Sequence, residues 1–142
     1  MRVNVLAPAR LLRQAVNQFV PRGRGTIITV SSWSAHRGST DPATIAYGAS
    51  KAAIKAATQT VARAYAAQGI CAYVVAPGVV RTRMSEQFAE GQGGEHAVSA
   101  GLATGTWIDP DEVAQLVTFL ASGTVPQLSG ATLDMNGASY VR

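Results

Sequence analysis

Tyr47 and Lys51 are the two residues whose types and spacing most directly suggest chemistry. Residues four positions apart on an α-helix share a face, so the phenol and the ammonium group would lie close together. A positive charge within a few ångströms of a phenol favours the phenolate. A tyrosine in that setting can exchange a proton with an alcohol or a carbonyl oxygen as a general acid/base. The spacing alone is a weak indicator, because surface helices often contain it by chance.

Further candidate residues stand near the ends of two short β-branched runs. Ser32 closes the first run, and a loop separates it from Tyr47. Gly78 follows the second run, where a missing side chain lets a ligand approach the backbone, and Thr82 offers a hydroxyl group nearby. Asn4 lies on a predicted helix that flanks the first run. Because α/β sites form at the C-terminal ends of parallel strands, we expect these residues to converge.

The elements that must position these residues follow from apolar periodicity and from breaker residues. Apolar residues three and four apart predict helices, whereas short uncharged β-branched runs predict buried parallel strands. The predicted order is a helix over 2–20, a strand over 25–32, a helix over 46–67, a strand over 70–78, a helix starting at 109–110 and a strand over 130–135. This alternation predicts an α/β fold with three parallel strands and flanking crossover helices.

Three stretches interrupt this pattern. Pro8 predicts either a kink in the first helix or its true start. Residues 33–45 contain glycine, aspartate and proline and are expected to form a long irregular loop. Residues 83–106 are expected to be irregular or weakly helical.

Length and composition restrict the class of protein. The chain has 142 residues, 47% hydrophobic and 14% charged, so we expect one folded domain rather than a disordered chain. The single cysteine, Cys71, excludes an intramolecular disulfide. His36 and His96 lie far apart in predicted loops, where we expect both to be solvated and no metal site to form. No apolar run is long enough to span a bilayer and residues 1–20 lack a signal-peptide pattern, so we expect a cytoplasmic protein.

Positive charge is concentrated at the beginning of the sequence. Six arginines precede the first acidic residue, Asp41: positions 2, 10, 13, 22, 24 and 37. Such a stretch could bind nucleic acid, but the one aromatic residue among the arginines before Trp33 is Phe19, which belongs to the apolar stripe of the predicted first helix, so base stacking has little support. We interpret the arginines as solvated faces and expect no nucleic-acid partner. The asymmetry would also arise if an acidic partner segment lay outside these residues.

Six segments, in this order, resemble the short-chain dehydrogenase/reductase family in its NAD(P)-dependent branch. They are VNVLAP (3–8), GTIITVSS (25–32), YGASKAAI (47–54), VVAPGVVRTRM (74–84), DPDEVAQLVTFLAS (109–122) and SGATLDMNG (129–137). The resemblance implies a Rossmann-like, doubly wound parallel sheet. It also implies hydride transfer between a nicotinamide and an alcohol or ketone substrate, with 3-oxoacyl-carrier-protein reductases or small alcohol dehydrogenases as the nearest types.

The resemblance further implies a catalytic tetrad. Tyr47 would be the acid/base, Ser32 would polarise the substrate oxygen, and Lys51 would hold the ribose hydroxyls. Asn4 would order a water molecule in the proton relay. Ser34 is an alternative to Ser32, because the spacing from Ser32 to Tyr47 is about two residues longer than the family's.

The same resemblance implies which residues would bind NAD or NADP. They are Tyr47, Lys51, Pro77, Gly78, Val80 and Thr82. Neither the choice between the two cofactors nor the identity of the substrate can be derived from these residues. Family members commonly oligomerise through long helices, so we expect a homo-oligomer.

The resemblance covers only the C-terminal half of family members. Gly23-x-Gly25 and Gly91-x-Gly93 cannot replace the family's phosphate-binding glycines, since neither has the third glycine. We therefore expect residues 1–142 to form a single truncated domain that lacks the N-terminal dinucleotide-binding half. The backbone of residues 26–30 should then lack a neighbouring strand on one side. An alternative is a non-catalytic fragment or pseudoenzyme that associates with a full-length relative.

Overall fold

The computed structural model describes residues 1–142, in which six helices and three strands alternate with short 3-10 turns. The strands are β1 (Gly25–Val30), β2 (Ile70–Pro77) and β3 (Thr132–Met135). The helices are α1 (Ala7–Phe19), α2 (Ser34–Arg37), α3 (Ile45–Tyr65), α4 (Arg83–Glu90), α5 (Glu95–Ala100) and α6 (Pro110–Ala121). None of them combines the length and apolar composition that crossing a bilayer requires.

The first helix begins where Pro8 marks its start. Arg2–Leu6 form a π-helical turn, and the regular α-helix starts at Ala7 with Pro8 in its first turn. The N–H of Ala7 still bonds Arg2 O, so the winding continues across this junction, and Pro8 lies where the π turn gives way to the α-helix. Pro8 thus marks the start of the regular α-helix, although the residues before it are helical as well.

The ends of α3 and α6 have clear local causes. After α3, a 3-10 turn leads to Gly69, whose φ of 74° is left-handed and costs a glycine little. Asp109 and Glu112 form a capping box at the start of α6, which satisfies N–H groups that the helix leaves free. These are the stop and start signals that the sequence predicts.

The strands form a parallel sheet in the order β1-β2-β3. One apolar core joins α1 and α3 to one face of the sheet, through residues such as Leu12, Ile27 and Ile54. A second core joins α6 to the opposite face, through Tyr73 and Leu120. The predicted three-layer α/β architecture is confirmed, with β2 in the centre and β1 at an edge.

The stretch 33–45, expected to be an irregular loop, contains the short helix α2, and this is a correction. The stretch 83–106, expected to be irregular or weakly helical, contains the short helices α4 and α5, as that prediction allows. Helices this short contain too few residues for an apolar period to be visible in the sequence. β1 also ends at Val30, two residues earlier than expected.

A clamp closes the base of the segment that carries α4 and α5. Arg81 N donates to Ile108 O at 2.9 Å, and Ile108 N donates to Val79 O at 2.8 Å. Val80 and Ile108 form an isolated parallel bridge between these bonds. The two ends of segment 81–107 are therefore fixed beside the end of β2.

Candidate active site

The segments that follow β1 and β2 lie side by side at one edge of the sheet. Trp33 N donates to Pro77 O at 3.0 Å, and Gly78 N donates to Met135 O at 2.8 Å. The serines after β1 are thereby held next to the Pro77-Gly78 turn after β2. This is the edge at which open parallel sheets build their sites.

Two buried serines after β1 have different hydrogen-bond partners. The hydroxyl of Ser31 donates to Lys51 O at 2.9 Å and so ties the end of β1 to α3. The oxygen of Ser32 accepts a hydrogen bond from Ser34 N at 3.2 Å, which leaves its hydroxyl hydrogen free to donate. The hydroxyl hydrogen of Ser31 is therefore already used in a bond within the fold, whereas that of Ser32 is available for a substrate oxygen.

Tyr47 and Lys51 lie one turn apart near the start of α3. Lys51 Nζ is 5.7 Å from the centroid of the Tyr47 ring, so the two side chains share a face as their spacing predicts. The same amine donates to Val30 O at 3.0 Å. Burial lowers the pKa of Lys51, because loss of water disfavours the ammonium form.

Ser50, which no sequence pattern singles out, connects Asn4 to this pair. Asn4 Nδ2 donates to Ser50 Oγ at 3.3 Å, and the Ser50 hydroxyl donates to Tyr47 O at 2.7 Å. Asn4 is therefore held against the first turns of α3. The only local signal for Ser50 was its position three residues after Tyr47, on the same helix face.

Ser34 also lies close to the start of α3. A Cβ atom at Gly48 would be 3.0 Å from Ser34 O, so the missing side chain lets α2 pack closely on α3. This contact brings Ser34 beside the helical turn that carries Tyr47. Ser32 and Ser34 both stay candidates for the bond to the substrate oxygen.

The positions expected to bind cofactor follow β2. A Cβ at Gly78 would lie 3.0 Å from Asn136 Cβ and 3.4 Å from Trp33 Cε3, so packing alone already favours glycine there. Val80 is held by the clamp to Ile108. Thr82, exposed, caps α4 by accepting a hydrogen bond from Ser85 N at 3.4 Å.

His36 is buried, and the expectation that it is solvated is wrong. Its side chain is 4% exposed, and Nε2 has no hydrogen-bond partner, with Asp134 Oδ1 3.9 Å away. Lys55 Nζ lies 3.0 Å from Nδ1, and the ring of Tyr140 stacks on the imidazole. Burial and the charges of Lys55 and Arg142 lower the pKa of His36, against the opposing effect of Asp134.

The donor groups suit one end of a nicotinamide dinucleotide. The Lys51 amine and the Tyr47 hydroxyl can bond a ribose diol, and the Thr82 hydroxyl can bond an amide or phosphate oxygen. No glycine-rich turn between a strand and a helix is present to hold a diphosphate. The residues therefore fit the nicotinamide and its ribose, and not the remainder of the molecule.

Comparison with known proteins identifies the family. The family model described as Enoyl-(Acyl carrier protein) reductase matches residues 1–137. A solved structure described as a short chain dehydrogenase/reductase family protein is 33% identical, with a TM-score of 0.81 over 94% of this chain and 53% of that chain. This chain belongs to the short-chain dehydrogenase/reductase family.

Relatives within the family are similar over nearly all of this chain. It is 32% identical over 141 residues to a 3-oxoacyl-acyl-carrier-protein reductase of Vibrio cholerae, covering 99% of this chain and 56% of the relative. It is 30% identical over 139 residues to an acetoacetyl-CoA reductase of Allochromatium vinosum, covering 98% and 55%. A gluconate 5-dehydrogenase from Burkholderia cenocepacia, in complex with NADP and tartrate, has a TM-score of 0.89 at 26% identity, covering 99% and 55%. The chain spans about half the length of the curated relatives that it matches.

Proposed function

We propose that residues 1–142 are the substrate-side portion of an NAD(P)-dependent oxidoreductase that moves a hydride between a nicotinamide and an alcohol or ketone carbon. In this proposal they belong to one domain, and the dinucleotide-binding half lies outside residues 1–142. The observation that carries the proposal is a group of side chains at one face of α3. Tyr47 and Lys51 lie on that face, Asn4 bonds it through Ser50, and the serines that follow β1 lie next to it.

Each residue of this group has a role that its contacts support. Tyr47 donates its phenolic proton to the substrate oxygen during reduction and takes it back during oxidation. Lys51 favours the phenolate electrostatically and bonds the ribose. Ser32, or Ser34 in its place, donates a hydrogen bond to the same substrate oxygen. Bound NAD or NADP supplies or accepts the hydride.

Asn4 acts behind Tyr47 rather than on the substrate. Ser50 holds the Asn4 amide against α3 through the 3.3 Å bond, which leaves the amide oxygen available to a water molecule. That water would carry the proton between the ribose–lysine side of the site and solvent. Ser50 is therefore a positioning residue in this proposal.

The substrate class we propose is a 3-oxoacyl thioester or another small ketone. The names of the two reductases above describe action on such compounds. The similarity to them extends over both the serines that follow β1 and the segment after β2. We also propose that the protein is cytoplasmic, where nicotinamide cofactors are abundant, and homo-oligomeric. Exposed apolar side chains on α1 and α3, Leu11 and Ile45 among them, support an association between copies.

A chimeric enzyme tests this function. The part of the Vibrio cholerae reductase that this chain does not match would be fused before residue 1, and oxidation of NADPH or NADH by acetoacetyl-CoA would be measured. We expect turnover, and Tyr47→Phe should lower it at least 10²-fold, roughly the contribution of a general acid/base. Tyr65→Phe, on the same helix and away from the site, is the matched control. A folded chimera with no turnover would favour the non-catalytic alternative.

A further inference from the structure

A cluster of charged side chains meets around His36 on α2, and the proposed reaction uses none of them. Lys55 of α3 faces Nδ1 of this buried histidine, and Asp134 of β3 faces Nε2. The end of the chain completes the cluster, because Tyr140 stacks on the imidazole and Arg142 binds the carboxylate of Asp134. A change in the charge of this one ring would therefore act on contacts between α2, α3, β3 and the end of the chain.

The hydrogen bond from Lys55 fixes which ring nitrogen of His36 carries the proton. An ammonium group has only hydrogens to donate, so Nδ1 of His36, 3.0 Å from Lys55 Nζ, must accept, and the ring proton lies on Nε2. That N–H faces Asp134 Oδ1 across 3.9 Å, a separation too long for a hydrogen bond. In this state His36 is neutral, and the one hydrogen bond of its side chain joins α2 to α3.

A second proton on the ring would exchange these partners. It would place an N–H at Nδ1 against the ammonium group of Lys55, and two cationic donors 3.0 Å apart repel each other. The imidazolium would at the same time attract Asp134, whose Oδ1 has no hydrogen bond because Arg142 binds Oδ2. Protonation of His36 therefore breaks the tie to α3 and favours a tie to β3.

The surroundings of His36 decide when this second proton is taken up. Burial, with the charges of Lys55 and Arg142, holds the pKa of His36 below its ordinary 6.5, against the opposing charge of Asp134. Arg37, the next residue on α2, places its guanidinium over a neighbouring tryptophan ring, 3.9 Å from the centre of that ring. The ring of His36 is therefore neutral at about pH 7 and becomes charged in mild acid.

The helix α2 and the serines before it form one unit. Ser34 begins α2, and its N–H donates to Ser32 Oγ at 3.2 Å. The N–H of Ala35 donates to Ser32 O at 3.0 Å, so the first turn of α2 is wound onto this serine. A shift of α2 would therefore move the hydroxyl groups of Ser32 and Ser34, the two candidates for the bond to the substrate oxygen.

Two hydrogen bonds hold this unit against α3. At its start, the Ser31 hydroxyl donates to Lys51 O, and neither group titrates near neutral pH. At its far end, Lys55 donates to the ring of His36. Lys55 lies one turn after Lys51, so the two bonds fix both ends of the unit along the helix that carries Tyr47. Only the bond at His36 responds to pH.

We propose that His36 is a positioning residue, which in its neutral form holds the Ser32 and Ser34 hydroxyls in place beside α3 and on protonation releases them. The inference rests on the proposed function, because the position of these serines matters to turnover only where one of them binds the substrate oxygen. His36 itself touches neither substrate nor cofactor, and it acts through α2. The site should therefore have its working geometry at neutral pH and lose it in mild acid.

Nuclear magnetic resonance of residues 1–142 tests this control without cofactor or turnover. The chain has two histidines, and His96→Asn assigns their imidazole signals. In a titration between about pH 8 and 5, we expect the neutral His36 ring to carry its proton on Nε2 and to show Overhauser contacts to the Lys55 side chain. These contacts should disappear as the ring titrates below 6.5. A neutral ring with its proton on Nδ1, or contacts that persist through the titration, would overturn the proposal.

Variants measured in the chimera connect the bond to turnover. The unmodified chimera should lose kcat as the pH drops below 6.5. His36→Asn keeps an oxygen near the position of Nδ1 and does not titrate, so it should keep kcat at neutral pH and lose the fall in acid. His36→Leu and Lys55→Met each remove the bond and should lower kcat roughly tenfold at neutral pH, since misplacing a reacting group by about 1 Å can cost about 10²-fold. Lys55→Met should also raise the pKa of His36, because a charge that opposes the second proton is gone.

The controls separate this role from general stability and from the proposed function. His96→Asn replaces an exposed histidine and should keep the fall in acid. A fall that survives in His36→Asn, at unchanged circular dichroism, contradicts the proposal, as does full turnover of Lys55→Met. Lys55→Met leaves the buried ring intact, so it gives the same test if a substitution of His36 prevents folding. A chimera without turnover, in which the contacts between His36 and Lys55 still disappear in acid, would reject the proposed function and leave the proton-controlled position of the serines intact.

Discussion

Thr58→Val should destabilise the fold by about 1 kcal/mol, the net contribution of one hydrogen bond, because its half-buried partner Thr29 keeps a weaker acceptor, Tyr73 O at 3.5 Å. Thr58 is fully buried, at 0% exposed, with its Oγ 2.9 Å from Thr29 Oγ and donating to Ile54 O at 2.8 Å. Valine keeps the shape of threonine, so no cavity contributes to the loss. The bond to Thr29 joins α3 to β1, and it therefore holds the helix that carries Tyr47 and Lys51 against the sheet.

A double-mutant cycle measures this bond. Thr29→Val/Thr58→Val leaves neither hydroxyl unpaired and should recover most of the lost stability. Urea unfolding at a fixed protein concentration, followed by tryptophan fluorescence, gives the four free energies of unfolding. Thr60→Val is the control, because its exposed hydroxyl bonds only Ala56 O within its own helix, and it should change little. We expect a coupling of at least about 1 kcal/mol, and additivity within about 0.5 kcal/mol would refute the reasoning.

Three further results are expected. Folding lowers the pKa of His36 from 6.5, so the unfolded chain binds more protons than the folded one at pH values between its folded and unfolded pKa. The free energy of unfolding should therefore fall as the pH drops below 6.5. His36→Gln should remove this part of the pH dependence of the urea midpoint. Gly78→Ala should lower the free energy of unfolding by about 1–3 kcal/mol, because the added Cβ would overpack against Asn136. Gly91→Ala is the control: a Cβ there would meet only Phe88 O, at 3.6 Å, so the urea midpoint should stay nearly unchanged. Residues 1–142 alone should bind NADPH weakly or not at all in calorimetry, because no helix start replaces a diphosphate loop; tight stoichiometric binding would contradict this.

The main elements of the fold were predictable because their signals are local. A long alanine-rich stretch with Gly69 after it predicts α3, and Asp109 with Glu112 predicts the start of α6. The alternation of helices and apolar runs predicts a parallel sheet. The short helix α2 has no such signal, since it is held by the burial of His36 among side chains from α3, β3 and the end of the chain.

The candidate site was predictable only in its local part. The four-residue spacing of Tyr47 and Lys51 correctly predicts a shared helix face. The bond between Asn4 and Ser50 joins residues 46 positions apart, and no pattern within one element could indicate it. The bond from Lys51 to Val30 O was equally hidden, because it depends on the free edge of a strand rather than on the type of either residue.

The clamp between Val79, Arg81 and Ile108 has a consequence for how this chain can diverge from its relatives. With both ends of segment 81–107 fixed by backbone bonds, side chains within it can change without moving the ends. The internal pair of Arg81 with Glu95 is exposed and also lies within this unit. The segment can therefore lengthen, shorten or be exchanged while the Tyr47–Lys51 face of α3 keeps its place. The segment and this helix face can accumulate substitutions independently of each other.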